Sequence, residues 1–208
     1  MGIRGRSYQI LNMTNSCKCR CYKYKFVGIS SKLLRIFWKT EGVDYYMIFK
    51  ASNGAEIIEI NKVDELDALN IYPEINHALV VVKIDDDYLL GYHKWRDDWE
   101  TFGGLLEKGE NLRECIERET EEELGLTGIQ YEYLGVVHYY MPPSYWVKEW
   151  HEEYGGLYGI KVSKATIEII EEKRKDKDEI GEVALVSALK AQGAKIDEIN
   201  EALLKLFQ

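Results

Sequence analysis

Gly104–Leu126 reads GLLEKGENLRECIERETEEELGL, and its second half holds five glutamates: Glu117, Glu119, Glu121, Glu122 and Glu123. Asn111 followed by Glu114 has the form of a capping box, which predicts that a helix starts there. Leu112, Cys115 and Ile116 supply its apolar side, and Gly125 stands where a helix commonly ends. On that helix Glu119, Glu122 and Glu123 fall at i, i+3 and i+4 and so share one face. Two carboxylates about 5 Å apart repel by roughly 3 kcal/mol at an effective dielectric of about 20. Stability alone gives little reason to build such a face, whereas a divalent cation turns the repulsion into attraction. The competing reading of the EREEE run by itself is a surface helix with an acidic, solvated side.

The flanking sequence predicts a mixed sheet. Upstream, HALVVVKI fits a buried strand and DDDYLLGYHK a turn leading into a second. KWRDDWETFGGLLEKGE, with three glycines, reads as a loop. Downstream, GIQYEYLGVVHYY is a long strand, MPPSYWVKEWHEE a Pro- and Trp-containing loop, and YGGLYGIKV a further strand. KATIEIIEEKRKDKDEIGE ends in a mixed-charge run expected to be exposed. EVALVSALKAQ follows, and DEINEALLKLF is an amphipathic helix. The order β-β-loop-α-β-β-α implies an α/β fold with helices on the faces of a mixed sheet. Before it, residues 17–27, 33–39, 43–50 and 55–60 resemble short strands, and Asn53-Gly54 is a hairpin signal. Asp64 to Leu69 fits one or two helical turns. The organisation expected is a basic β-rich N-terminal extension over residues 1–72 and a second domain over 73–208.

Composition bounds the class. The 208 residues are 46% hydrophobic and 30% charged with net charge −9, ordinary for a globular protein. No apolar run approaches the roughly 18 residues that span a bilayer, and the basic N-terminus lacks the apolar core of a secretory signal. The location expected is cytoplasmic, without a membrane partner. Charge is uneven: nine Lys or Arg residues precede the first acid, Glu41, leaving 18 of the 27 basic residues against all 36 acids, a net −18, in residues 41–208. A solvated basic subdomain accounts for this, and nucleic acid is not an expected partner. Cys17, Cys19 and Cys21 alternate as on one strand face but lack the fourth ligand that structural zinc normally takes. Cys115 reads as a small core residue.

The segment from Gly104 through Glu110 to Arg118-Glu119-Thr120-Glu121-Glu122-Glu123-Leu124-Gly125-Leu126 resembles the box of the MutT-like Nudix hydrolase family, G-x5-E-x7-R-E-U-x-E-E-x-G-U. Every fixed position is present. Thr120 stands where a bulky apolar residue is usual, and Phe102 replaces the proline of the preceding W-x-x-P-G-G. The resemblance covers roughly residues 75–207. It implies a Nudix-type α/β/α sandwich and hydrolysis of a phosphoanhydride in a nucleoside diphosphate linked to another moiety, through water activated by Mg²⁺ or Mn²⁺.

By the same resemblance, Glu119, Glu122, Glu123 and the Gly103 carbonyl hold the metal, and Glu119, Glu122 and Arg118 are catalytic. Arg118 braces a box glutamate, expected to be Glu122. Gly104, Glu110 and Gly125 are structural. The general base is a box glutamate or one of Glu149, Glu152 and Glu153 downstream. Lys94 and Arg96 are candidates for substrate phosphate, and Trp146 and Glu152 for other substrate contacts. A homodimer is compatible with a β-rich extension. The alternative function is a nucleotide-sensing module of the same fold without turnover.

Overall fold

The computed structural model describes residues 36–40 and 43–208, with side chains from Ile48 onward. The strand expected at 17–27 and the cysteines at 17, 19 and 21 lie outside the described residues. Strands β1 (Ile36–Thr40) and β2 (Val43–Met47) form an antiparallel pair of their own. The other strands join one nine-stranded mixed sheet. They are β3 (Phe49–Lys50), β4 (Glu56–Asn61), β5 (Ile75–Ile84), β6 (Asp87–His93), β7 (Asp98–Glu100), β8 (Phe102–Leu105), β9 (Glu132–Met141), β10 (His151–Val162) and β11 (Ile180–Leu185). The order is β11-β6-β5-β10-β9-β4-β3, with β7 on β6 and β8 beside β6 on the same edge of β5. Only β5 and β10 run parallel, with Val80 opposite Tyr158. All other pairs are antiparallel.

Strand alternation divides the apolar residues between two layers. On one face α2 (Leu112–Leu124) and α3 (Thr166–Lys173) cover Ala78, Val80, Val82, Phe102, Tyr158 and Ile160, burying Leu112, Cys115, Ile116 and Ile170 among them. On the other, α4 (Val186–Gln192) and α5 (Glu198–Leu204) bury Leu189, Leu203 and Leu204 against Val81, Val137 and Leu157. The result is the α/β/α sandwich expected. Gly156 and Gly159 on the central strand β10 let both layers close: a Cβ at Gly156 would press 2.9 Å from the Leu112 side chain, and one at Gly159 would strike the Phe207 ring. Among the described residues no helix is long and apolar enough to cross a membrane.

Two local expectations change. The loop expected around WETFGG contains β7 and β8, because Trp99 and Phe102 are buried and their backbones pair with Tyr92 and Val80. Strand β10 begins at His151, so Glu152 and Glu153 lie on it rather than in the preceding loop. Strand β4 joins the main sheet: it pairs with β9, placing Ile57 opposite Tyr139, and Ile57 is fully buried in the α4/α5-side core. The Asn53-Gly54 turn does form between β3 and β4, with Gly54 at φ 91° and the Ala55 amide donating to Asn53 Oδ1 at 2.9 Å.

A short helix, α1 (Ala68–Ile71), follows β4. The turn before it ties back to the box helix. Glu65 accepts two bonds from Arg113 at 2.8 and 2.7 Å and one from the Tyr158 hydroxyl at 2.9 Å. The Arg113 guanidinium lies over the Tyr131 and Tyr158 rings.

Because β4 shares the main sheet, Ile57→Ala is expected to cost about 2–4 kcal/mol within a single cooperative unfolding transition. Urea denaturation followed by circular dichroism and by tryptophan fluorescence checks this; two separated transitions would show that the segment folds apart from the sheet.

Candidate active site

Helix α2 starts and stops as its sequence dictates. Asn111 Oδ1 accepts the Glu114 amide at 3.0 Å and Glu114 Oε2 accepts the Asn111 amide at 2.9 Å, a reciprocal pair that satisfies two otherwise orphaned donors. Gly125, at φ 63°, ends the helix, its N–H donating to Glu121 at 3.0 Å. Thr120 is fully buried, and its hydroxyl donates to the Ile116 carbonyl at 2.5 Å. That local bond removes the cost of burying an oxygen where an apolar side chain is usual.

The acidic face is held by one cation and one amide. Arg118 makes a bidentate pair with Glu110, Nε to Oε1 at 2.9 Å and Nη2 to Oε2 at 3.0 Å. It also reaches Glu119 at 2.7 Å, the Leu105 carbonyl at 3.0 Å and Glu122 at 3.3 Å. The forked partner is therefore Glu110, not the Glu122 expected from the resemblance; the turn after β8 brings Glu110 alongside the guanidinium plane. Arg118 holds the Glu110 carboxyl below the usual carboxylate range. Glu123 is buried and accepts the Gly103 amide at 2.7 Å.

Burial pushes the Glu123 carboxyl well above the usual range against the pull of that amide, and the charges of Glu119, Glu179 and Asp176 add to the rise. Glu119 is raised in the same way, with Glu122 and Glu179 contributing and Arg118 opposing. Gly103 and Gly104 permit the close approach. Gly103 sits at φ 127°, where a Cβ would collide with the Ala78 carbonyl oxygen, and a Cβ at Gly104 would collide with the Glu119 carboxylate. Cys115 beneath them is buried, and its thiol is pushed up to about 12, so it stays protonated.

The sequence reading missed Glu179 and Asp176. The KRKDKDEIGE stretch read as solvated charge is a pinned turn. Buried Arg174 donates to the carbonyls of Ile180 at 2.5 Å and Gly181 at 2.7 Å. The Lys175 and Asp176 amides donate to the Glu122 carbonyl at 2.8 and 2.9 Å, and Asp176 Oδ1 accepts the Glu179 amide at 2.9 Å. The turn thus sets two carboxylates against the C-terminal end of α2. The only hint in sequence was an acid immediately before the IGEVAL alternation.

The other candidates disperse. Lys94 Nζ donates to the Lys177 carbonyl at 2.7 Å. Arg96 pairs with buried Glu100 at 2.5 Å. Glu153 pairs with His151 at 2.6 Å, and Glu152 lies 3.3 Å from His138 Nε2. Glu149 is exposed. Trp146 is 86% exposed in the loop at 142–150, its ring edge-on to Tyr145.

Among the described residues no three His, Cys, Asp or Glu side chains already converge on a single point; Arg118 and the Gly103 amide hold the glutamates individually. The donor set nonetheless fits a hard divalent cation. It is all oxygen, it is mutually repelling, and two of its members are raised by desolvation and neighbouring negative charge.

The NUDIX domain family model matches residues 73–207. The chain belongs to the NUDIX family. No curated protein matches it. Among solved structures it is similar to the Bacillus subtilis pyrophosphohydrolase BsRppH, solved as a point mutant, at 20% identity and TM-score 0.51 over 77% of this chain and 94% of that one. It is also similar to the Escherichia coli dihydroneopterin triphosphate pyrophosphohydrolase (14%, 0.46, 63% and 92%). The NUDIX domain of Shewanella oneidensis NrtR, complexed with ADP ribose, is similar at 15% and 0.47 over 69% and 96%. These likenesses concern the fold.

A carboxyl raised by folding stabilises the native state fully below its unfolded value of 4.5, and that contribution is lost as pH rises through the folded value. In metal-free protein Glu123→Gln is therefore expected to raise Tm at pH 8 and to have little effect near pH 4.5. Paired thermal scans at the two pH values check the sign.

Proposed function

We propose that this chain hydrolyses a phosphoanhydride in a nucleoside diphosphate linked to a further group, with Glu119, Glu122, Glu123 and the Gly103 carbonyl holding Mg²⁺ or Mn²⁺. The observation that carries the reading is the unbroken acid set on one face of α2, facing the Gly103-Gly104 approach and joined by Glu179 from the turn before β11. A divalent cation bound there supplies neutralisation of the diphosphate charge and a lowered pKa for a bound water.

The chain's own groups do the rest. Arg118 fixes Glu119 and Glu122 relative to one another and is itself fixed by Glu110. The Gly103 amide orients Glu123. Glu179 is part-exposed, and its carboxylate meets His93 Nε2 rather than a guanidinium. It is the carboxylate best placed to take a proton from water as the water oxygen bonds to phosphorus and the bridging P–O bond breaks. Of Glu149, Glu152, Glu153 and Glu179, it is Glu179 whose charge bears on Glu119 and Glu123, whereas Glu152 and Glu153 lie on β10. Arg96, in the turn between β6 and β7, keeps an exposed guanidinium while paired with Glu100 and is the candidate for a substrate phosphate, whereas Lys94 is occupied by the Lys177 carbonyl. The exposed Trp146 loop is the candidate contact for the remainder of the substrate.

The test is a panel of NTPs, ADP-ribose, dinucleoside polyphosphates and nucleotide sugars with Mg²⁺ or Mn²⁺. Turnover of at least one is expected, and Glu122→Gln is expected to lower kcat by about a hundredfold or more. Binding of a panel member without cleavage, unaffected by Glu122→Gln, would instead identify a sensing module.

A further inference from the structure

Glu179, the residue before β11, belongs to the turn that is pinned against the C-terminal end of α2. Its negative charge bears on both Glu119 and Glu123, and with 36% of its side chain accessible it has solvent to turn into. Something must hold it toward the box. Antiparallel pairing sets Ile180 at the start of β11 opposite His93 at the end of β6. The Lys94 amide donates to the Glu179 carbonyl at 3.0 Å, fixing the backbone. His93 Nε2 lies 2.9 Å from Glu179 Oε1.

The ring itself is fixed. The Arg96 amide donates to His93 Nδ1 at 3.3 Å, so Nδ1 is the acceptor, Nε2 carries the proton, and Nε2–H donates to the carboxylate. The imidazole is almost wholly buried and meets Trp95 edge-on, with ring centroids 5.7 Å apart.

We propose that His93 is a positioning residue that tethers the Glu179 carboxylate against the repulsion of the box glutamates. The inference rests on reading the box as a metal-dependent hydrolytic centre. Without the tether Glu179 turns to solvent, and the centre loses the field of a fourth carboxylate and its proton acceptor together.

The test is a Mn²⁺ titration of the full chain by electron paramagnetic resonance, with kcat and KM measured beside it. Wild type, His93→Leu, His93→Gln, Glu179→Gln and the His93→Leu/Glu179→Gln double variant are compared. His93→Leu is expected to weaken Mn²⁺ about tenfold and to lower kcat about ten- to a hundredfold, with KM within about twofold. His93→Gln, whose amide replaces the lost donor, is expected to recover most of both. The double variant is expected to be no worse than Glu179→Gln alone, as for groups acting as one unit. His93→Asn, whose amide is too short for the reach, takes the place of His93→Leu if the latter does not fold.

Mn²⁺ affinity unchanged in His93→Leu, or losses that multiply in the double variant, would overturn the inference. A wild-type protein that binds no Mn²⁺ overturns it along with the metal-dependent reading. One that binds Mn²⁺ but cleaves nothing in the panel overturns the hydrolytic reading alone, and the titration still decides the role of His93.

Discussion

The guanidinium of Arg118 is the interaction on which the candidate site depends. It touches three glutamates and a backbone carbonyl at once. Like charges at i and i+4 oppose helix formation, and a low-dielectric surround magnifies the opposition. One planar cation with its donors in a fixed fork can serve several carboxylates simultaneously, which a lysine ammonium does not match. The Gly103 amide does the same for Glu123 from the opposite side. The helix can therefore fold with its acids gathered, but the gathering is incomplete. Glu119 and Glu123 remain raised, and this unrelieved charge is the thermodynamic drive for taking up a cation.

The sandwich serves that arrangement. The parallel pairing of β5 and β10 makes a rigid centre, and β8 lies beside β5 so that Gly103 and Gly104 face Leu79 and Ala78. The backbone at Gly103 is set by the sheet, and the helix is set against it by Leu112, Cys115 and Ile116. The turn before β11 closes the other side, pinned by Arg174 and by the end of α2 itself. Three elements far apart in sequence, β8, α2 and the turn before β11, are thus fixed against one another by backbone and core contacts.

What could be read in the sequence was local, and what escaped was long-range. The capping box, the Gly125 terminus and the acidic face are properties of neighbours within four residues, and each stands in the structure as its spacing implied. The α/β/α layering follows from apolar periodicity. Strands β7 and β8 are too short to carry a pattern of their own and exist through pairing with β6 and β5. The same limit hid the membership of β4 in the main sheet, since its partner β9 lies far downstream. For Arg118 the resemblance pointed to Glu122, while the turn after β8 supplies Glu110, eight residues back, as the forked partner. Glu179 and Asp176 were invisible for the opposite reason. In sequence they belong to a run of alternating charge, and only the pairing of Ile180 with His93 and the amide bonds to the Glu122 carbonyl set that turn against α2.

The one parallel pairing also governs how the chain finds its structure. Bringing Val80 beside Tyr158 closes a loop of about 80 residues, an entropic cost on the order of 4 kcal/mol before any contact in that pair is rewarded. The hairpins β3–β4, β5–β6 and β9–β10 and the capped helix α2 involve only short separations. Seating β10 against β5 buries Tyr158 and Leu157 in the two cores at once.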